Sequence, residues 1–278
     1  TKNLTFKWKE QKFETGLRVP LLLTRSKYRT EINFGDFVGV TNVSEFKNSI
    51  DGGRRIITTN YPQYFFRNYA DNGMLLSNHM SFTALHSLKV SRRDIYSKWA
   101  QYMAIESYST PFGGDFQGNL FSAYTRLFFP GLFKHHSFNV YWGYQKTLMT
   151  QANIKTGAGL DNYIFRNQIP SPRGQSVSRF QDYYAMSVNY TLPIWYPDIA
   201  LGPILNIQRV TGNVFTDYAF GQSKTFKTSQ AYTSVGGELK FDVNIMRFLP
   251  QLNFGVRYSY ALEKQLGLVE FIVGNIPL

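Results

Sequence analysis

Residues 182–194 alternate between apolar and polar side chains along their whole length. One face of the segment carries Tyr184, Met186, Val188, Tyr190, Leu192 and Ile194, and the other face is mostly small or polar. Successive side chains of a β-strand point to opposite faces, so this period of two predicts a strand with one apolar and one polar face. The segment is much longer than the roughly 5–6 residues of an average strand in a soluble protein. A long strand of this kind is typical of a wall with lipid on one side and water on the other.

The composition favours a membrane protein built from strands over one built from helices. The 278 residues include 24 Phe and 19 Tyr, yet the mean hydropathy is only -0.27. Alternation hides the hydrophobicity of membrane-spanning strands in such an average. No apolar run approaches the roughly 20 residues that a spanning helix needs. Because the chain has no cysteine, a disulfide framework and a thiolate metal site are excluded. The sequence has no HExxH motif, glycine-rich phosphate loop or carboxylate cluster at calcium spacing, so we expect neither a metal nor a cofactor.

The chain is basic, with 30 Lys and Arg against 18 Asp and Glu and a formal net charge of +12. Such a balance raises the question of nucleic-acid binding. The basic residues are scattered among strands and loops and do not form one stripe, so we expect no nucleic-acid partner. Attraction to anionic headgroups of outer-membrane lipid, including those of lipopolysaccharide, or to an acidic partner explains the charge more simply. We also expect protein partners in the periplasm or at the cell surface.

The alternation predicts about twelve strands within one domain that covers residues 1–278. The predicted strands are residues 4–8, 13–24, 30–43, 75–88, 93–110, 118–129, 137–149, 182–194, 204–218, 229–246, 251–262 and 268–276. Short connections alternate with long loops at residues 44–73 and 150–181, which is the pattern of bacterial outer-membrane barrels. An open sheet edge would leave backbone groups unpaired in hydrocarbon. We therefore expect an all-β, transmembrane antiparallel β-barrel in the bacterial outer membrane, either closed alone or part of a larger barrel.

The segment from Arg173 to Tyr218 resembles the C-terminal region of the BamA- and TamA-type barrels, the bacterial surface-antigen superfamily. The tripeptide Pro172-Arg173-Gly174 is similar to the Val-Arg-Gly-Phe-like motif of the family's long extracellular loop, which folds back into the lumen. Residues 214–218, Val-Phe-Thr-Asp-Tyr, are similar to the family's Phe-x-Asp-x-Gly signature. The order also agrees, because five predicted strands follow Arg173 and five strands follow the loop in the family.

The resemblance implies that this chain is the C-terminal portion of a sixteen-stranded barrel, with four strands upstream. Residues 92–95, 110–112 and 129–136 also look like a subfamily in which the barrel follows a periplasmic β-propeller. The chain departs from the motif at Pro172 and Gln175, where valine and an aromatic residue are usual, and Phe180 is an alternative anchor for the loop. The client-binding periplasmic domains of the superfamily are not in this chain, which leaves the insertase activity open.

Arg173 is the main candidate for a functional residue. If its loop enters the lumen, the guanidinium needs a carboxylate there. Asp217 has inward parity and resembles the family's acidic partner, and Glu238 and Asp242 on the neighbouring strand are alternatives. A bidentate pair would pin the loop and fix the shape of the lumen. An ordinary solvated loop position for Arg173 is the competing interpretation.

The last predicted strand, residues 268–276, is the second candidate site. In the superfamily this strand pairs weakly with the first strand, and the seam between them can open laterally. A poorly paired edge can template an incoming strand. An ordinary closed seam is the alternative. The residues expected at the lateral seam are Leu268, Glu270, Phe271, Ile272 and Val273.

These features favour a protein that is not an enzyme and that acts in outer-membrane biogenesis or anchors a partner complex. A passive porin or substrate transporter is the first alternative, and it would need an open lumen. An outer-membrane lipase is a remote alternative, because His79 shares a strand face with Ser77 and Ser81. We find no Asn or Asp in the sequence placed to orient the His79 ring.

Overall fold

The protein is all-β in the computed structural model, with twelve antiparallel strands in a single sheet. The structure describes residues 4–50, 72–90, 94–148, 165, 167–175, 177, 180–197, 199–202, 205–224, 227–245 and 252–275. No helix occurs within these ranges. The all-β, antiparallel architecture that the alternation predicts is therefore confirmed.

The long strands follow one another through the sheet in chain order. Their bounds are β1 (Leu4–Leu22), β2 (Tyr28–Ile50), β3 (Gly73–Leu88), β4 (Ala100–Ser109), β5 (Asn119–Pro130), β6 (Ser137–Leu148), β7 (Asp182–Trp195), β8 (Ile199–Leu201), β9 (Leu205–Ser223), β10 (Thr228–Ile245), β11 (Leu252–Ala261) and β12 (Leu266–Asn275). Each long strand pairs with the next long strand, and the short β8 pairs only with β9. This meander needs pairing only between strands that are neighbours along the chain.

The first two strands are longer than the alternation predicts. The predicted strands 4–8 and 13–24 are one strand, β1, which pairs with β2 from Leu4 to Leu22. The polar run at residues 9–12 interrupts the apolar pattern, but a register shift between Lys7 and Lys9 lets the pairing continue. The count remains twelve because Ile199–Leu201, which was expected within a connection, forms β8.

Residues 94–99 are not part of a strand, contrary to the prediction of one strand over residues 93–110. The strand β4 begins only at Ala100. The Ser97 hydroxyl donates to the Leu88 carbonyl oxygen at 2.8 Å, and the Asp94 carbonyl oxygen accepts from Arg209 at 3.2 Å. These bonds replace ladder bonds and hold the segment against the sheet.

The two faces of the sheet differ in polarity. In β9 the exposed fraction is 61% for Val214 but 2% for Phe215 and 4% for Asp217. We call the face that carries Val214 the outer face and the face that carries Asp217 the inner face. The outer face exposes large apolar side chains, among them Phe34, Met80, Phe121, Trp142, Tyr184, Met186, Val214, Tyr218, Leu239, Phe254 and Val256. The inner face buries Ser, Asn, Asp, Glu and Arg side chains, which reverses the usual arrangement of a soluble sandwich.

Two connections from opposite ends of the sheet fold over the inner face. The β3–β4 connection leaves from the end at which β2 begins, and its described part over the face is residues 94–99. The β6–β7 connection leaves from the other end, and its described part includes residues 167–175. The former contacts Arg209 and the latter contacts Asp217, and both of these residues lie on β9. The inner face of β9 is thus covered from both directions.

The sheet is open in this chain. Within the described ranges, β1 pairs only with β2 and β12 pairs only with β11. On β12 the side chains of Phe271 and Val273 are 88% and 80% exposed. The expectation that the twelve strands close alone is therefore not met, because the two free edges do not meet. The sixteen-stranded barrel stays a prediction.

Candidate functional site

Arg173 and Asp217 form a bidentate ion pair on the inner face. The Arg173 Nε donates to Asp217 Oδ2 at 2.7 Å, and the Nη2 donates to Oδ1 at 2.6 Å. The backbone N–H of Arg173 also donates to Oδ2, at 2.9 Å. Parallel charge-assisted bonds of this kind are strong and directional. The aspartate therefore fixes both the guanidinium and the backbone of the loop.

The strand register builds the acceptor side of this pair. Ser187 of β7 lies opposite Asp217 of β9, and its hydroxyl donates to Asp217 Oδ1 at 2.6 Å. Phe215 lies two residues before Asp217 and so on the same face, with its ring centroid 3.5 Å from Arg173 Cζ. The face of an aromatic ring attracts a guanidinium. The side chains of Arg173 and Asp217 are only 17% and 6% exposed, so the pair is largely removed from water.

Glu238 is a second buried carboxylate, and three cations surround it. The Arg257 Nε lies 2.6 Å from Oε1 and the Lys240 Nζ lies 2.5 Å from Oε2, whereas the Arg173 Nη1 lies 3.4 Å from Oε1. The Asn213 amide donates to Oε2 at 3.1 Å. Glu238 is therefore a minor partner of Arg173 and mainly neutralises Lys240 and Arg257.

Asp242, the other alternative partner of Arg173, is paired elsewhere. It lies opposite Arg209 in the β9–β10 ladder, and its Oδ2 accepts from Arg209 Nε at 2.7 Å and from Nη2 at 2.6 Å. Arg209 of β9 thus already neutralises Asp242, and the structure does not bring Asp242 to Arg173. The third nitrogen, Nη1 of Arg209, donates to the Asp94 carbonyl oxygen and so ties the β3–β4 connection to the sheet.

The loop motif is seated on three strands. Gly174 has a φ of +72°, and a Cβ at this position would lie 2.1 Å from Ser259 Oγ on β11. Glycine adopts this left-handed conformation without strain. The Gln175 side chain donates to the Thr233 carbonyl oxygen of β10 at 2.8 Å. Together with the contact of Arg173 with β9, these contacts clamp the motif across β9, β10 and β11.

Phe180 anchors the end of the same connection. Its ring lies where a side chain at Gly221 would be, since a Cβ there would be 2.1 Å from Phe180 Cδ2. Phe180 is buried in an apolar cluster beneath the loop. The cluster comprises Tyr141, Ile169, Phe180, Tyr183, Ala185, Ala219 and Tyr232. This packing supports the alternative anchor suggested by the sequence.

The expected seam residues all lie on β12, which spans Leu266–Asn275 rather than residues 268–276. Their parity follows from the pairing of Glu270 with Arg257, whose Nη1 lies 3.6 Å from Glu270 Oε2. Leu268, Glu270 and Ile272 share the inner face, and Phe271 and Val273 share the outer face. The described part of the chain holds no strand on the free edge of β12, so a lateral seam stays a prediction.

His79 lies beside a carboxylate and not beside a serine. Its Nε2 is 3.7 Å from Glu106 Oε2, and its ring stacks on Tyr108 at a centroid distance of 4.0 Å. The sequence offers no sign of this carboxylate because Glu106 belongs to the next strand, β4. Among the described residues, neither Ser77 nor Ser81 is hydrogen-bonded to His79, so the lipase interpretation gains no Ser–His pair.

No family model, curated protein or solved structure matches the chain. In the described ranges, no helix is both long and apolar enough to cross a membrane. The same ranges contain no group of three or more His, Asp or Glu side chains that could hold a metal ion. The geometry of the loop motif and its partners is therefore what bears on function.

Among the partners of the buried ion pairs, Ser187, Lys240 and Arg257 were not expected from the sequence, and Phe215 was expected only as part of the Phe-x-Asp-x-Gly signature. Phe215 lies two residues from Asp217 on β9, and Lys240 lies two residues from Glu238 on β10. Residues two apart on a strand share a face, so the sequence contained a signal for both. Ser187 and Arg257 reach the site across neighbouring strands. Finding them requires the register between strands, which the period-two pattern of a single segment does not contain.

Proposed function

We propose that this protein forms at least part of an outer-membrane β-barrel of the BamA/TamA kind. It acts in outer-membrane assembly or anchors a partner complex there. The observation that carries the proposal is the buried ion pair of Arg173 and Asp217, set on the polar face of a sheet whose other face is apolar. This pair resembles the lumen-loop arrangement of the superfamily. A loop fixed inward occupies space that a freely diffusing solute would need, which favours assembly or anchoring over passive transport.

The two free edges support the proposal that further strands complete the barrel. Unpaired backbone groups are very unfavourable in hydrocarbon, so strands that span a bilayer close into barrels. The path through the sheet has eleven strands, because β8 pairs only with β9, so five strands upstream of β1 would be needed for the sixteen-stranded barrel of the superfamily. The large apolar side chains of the outer face favour contact with lipid, and the net charge of +12 favours anionic headgroups such as those of lipopolysaccharide.

Depletion of the protein in its own cells tests the proposed role. If it is an assembly factor, depletion should lower the amounts of other folded barrels in the outer membrane. If it is an anchor, depletion should instead release one set of proteins that otherwise co-purifies with the outer membrane. Arg173→Ala and Asp217→Ala copies should fail to restore the lost function, whereas a Lys9→Ala copy, altered at an exposed ion pair, should restore it. If depletion causes neither of these two defects, the proposal is contradicted.

Two measurements separate the alternatives. The full-length protein in planar bilayers should conduct little current, and Arg173→Ala should raise the conductance if the loop obstructs the lumen. A wide and steady conductance in the wild type would favour a porin instead. Hydrolysis of ester substrates that disappears in Ser81→Ala would favour the lipase.

A further inference from the structure

The inner face contains a polar cavity of about 270 Å³ between the two connections that fold over it. The β6–β7 connection contributes Arg173 to its lining, and the β3–β4 connection contributes Tyr96. Strand residues of the lining include Arg126, Lys240 and Arg257. The volume is several times the roughly 30 Å³ that one water molecule takes up in the liquid, so a small solute fits.

Positive charge is in excess in this lining. The lining contains the cationic side chains of Arg126, Arg173, Lys240 and Arg257 and the carboxylates of Asp217 and Glu238. The ion pairs described above engage Arg173, Lys240 and Arg257, and Arg257 has Glu270 as a further partner. In the described part of the chain, Arg126 is the lining cation that lies within ion-pair distance of no carboxylate.

Arg126 is placed to present its nitrogens to the cavity. It lies on β5, opposite Tyr102 of β4 and Tyr141 of β6. The guanidinium carbon lies 5.8 Å from the centroid of the Tyr141 ring, a contact that positions the cation without using its N–H groups. A guanidinium has five N–H donors in a planar fork that matches two oxygens of one anion. The side chain is exposed, so these donors are open to solvent or ligand.

Tyr96 brings a neutral donor to the same space from the opposite connection. Burial raises the pKa of its hydroxyl, and the nearby Glu238 carboxylate raises it further. The hydroxyl therefore stays protonated at neutral pH and can donate. Among the described residues, it has no hydrogen-bond partner.

We propose that this cavity binds a small oxyanion, the phosphate or carboxylate group of a free solute, with Arg126 as its principal ligand and the Tyr96 hydroxyl as a second donor. Lys240 and Arg257 remain paired with Glu238 and border the site. The cavity lies on the inner face whether or not further strands close the sheet, so this inference and the proposed function stand or fall separately.

Calorimetric titration of the full-length protein in detergent tests the site, with inorganic phosphate and succinate as separate probes at constant ionic strength. At least one probe should bind saturably with one site per chain. Arg126→Gln should weaken that binding about tenfold or more, because a charge-assisted pair of hydrogen bonds is lost. Tyr96→Phe should weaken it about threefold, because one neutral hydrogen bond is lost. Comparing the two probes shows whether phosphate or carboxylate is the preferred group.

Arg29→Gln is the matched control, because it removes the same charge at an exposed position where Arg29 pairs with Glu31 at 2.8 Å. It should bind the probe as the wild type does. If Arg126→Gln does not fold, Arg126→Lys keeps the charge without the fork and should still bind more weakly than the wild type. Absence of saturable binding, undiminished binding by the Arg126 variants, or an equal loss in Arg29→Gln would overturn the proposal.

Discussion

Gly174 and Ser259 approach each other so closely that no side chain fits between them. A Cβ on Gly174 would lie 2.1 Å from Ser259 Oγ, and the backbone of Gly174 is left-handed with a φ of +72°. The loop motif therefore rests directly on β11, one residue away from the ion pair that fixes it to β9. Backbone contact and ion pair together define the inward position of the loop.

Gly174→Ala is expected to lift the motif from β11 and to destabilise the fold by roughly 1–3 kcal/mol, through the clash and the strained φ. Limited proteolysis within the loop and denaturant unfolding measure the two effects. Gly113→Ala is the matched control, since Gly113 has a φ of +80° but nothing within 4 Å of its Cβ position. A second change, Ser259→Gly, should restore part of the loss. Equal effects of the two alanine substitutions would contradict the proposed contact.

Arg173→Ala and Asp217→Ala are each expected to destabilise the protein by about 3–5 kcal/mol. The first leaves Asp217 buried without a cation, and the second leaves Arg173 with only the weaker contact with Glu238 at 3.4 Å. The double variant should lose much less than the sum, which a double-mutant cycle of unfolding free energies measures. The exposed pair of Lys9 and Glu45 is the control, since its N–O distance is also 2.6 Å but its side chains are 68% and 60% exposed. Its coupling should be below about 1 kcal/mol. Similar coupling in both pairs would show that burial does not matter here.

Phe180→Ala is expected to destabilise the protein by about 3–5 kcal/mol, because it empties the space above Gly221 and removes the ring from the apolar cluster. Denaturant unfolding in detergent measures the loss. Phe112→Ala changes the same side chain at a position that is 58% exposed and should cost much less. Comparable losses at both positions would argue against the anchoring role of Phe180.

Arg209→Gln is expected to release residues 94–99 from the sheet and to raise the rate of tryptic cleavage after Lys98 about tenfold, which corresponds to roughly 1.4 kcal/mol. Asp94→Asn should raise that rate less, because it keeps the backbone carbonyl oxygen that Arg209 binds and loses only the charge that faces His135 and Lys98. The Asp94 carboxylate instead lies 2.7 Å from His135 Nδ1. Faster cleavage in Asp94→Asn than in Arg209→Gln would refute this account of the contact.

The strand class and the faces could be predicted because each depends on one segment at a time. Val214, Phe215 and Asp217 show this, since their opposite exposures follow from parity along β9 alone. The prediction that Arg173 meets Asp217 came from parity together with the family resemblance, and the structure places the two in contact.

The remaining contacts depend on relations between segments. Asp242 has the same inward parity as Glu238, but only the register with β9 places Arg209 opposite it. Residues 94–99 alternate only weakly, and the Asp94 carbonyl oxygen finds its partner in the Arg209 side chain, far along the chain. The charged run at residues 9–12 would end a strand on local criteria, and pairing with β2 carries the strand through it.

The contact of Asp94 with Arg209 joins residues 115 positions apart, and that of Arg173 with Asp217 joins residues 44 positions apart. Contacts that span long stretches of chain form slowly, because the entropy of closing the intervening loop is lost before any bond is gained. Neither of these two contacts can form before β9 has been synthesised and paired. Both connections can therefore be fixed by these contacts only late in folding, because one partner of each contact lies on β9. A chain truncated before β9 would lack both arginine contacts, and its connections would keep only their contacts with earlier strands, such as that of Ser97 with Leu88.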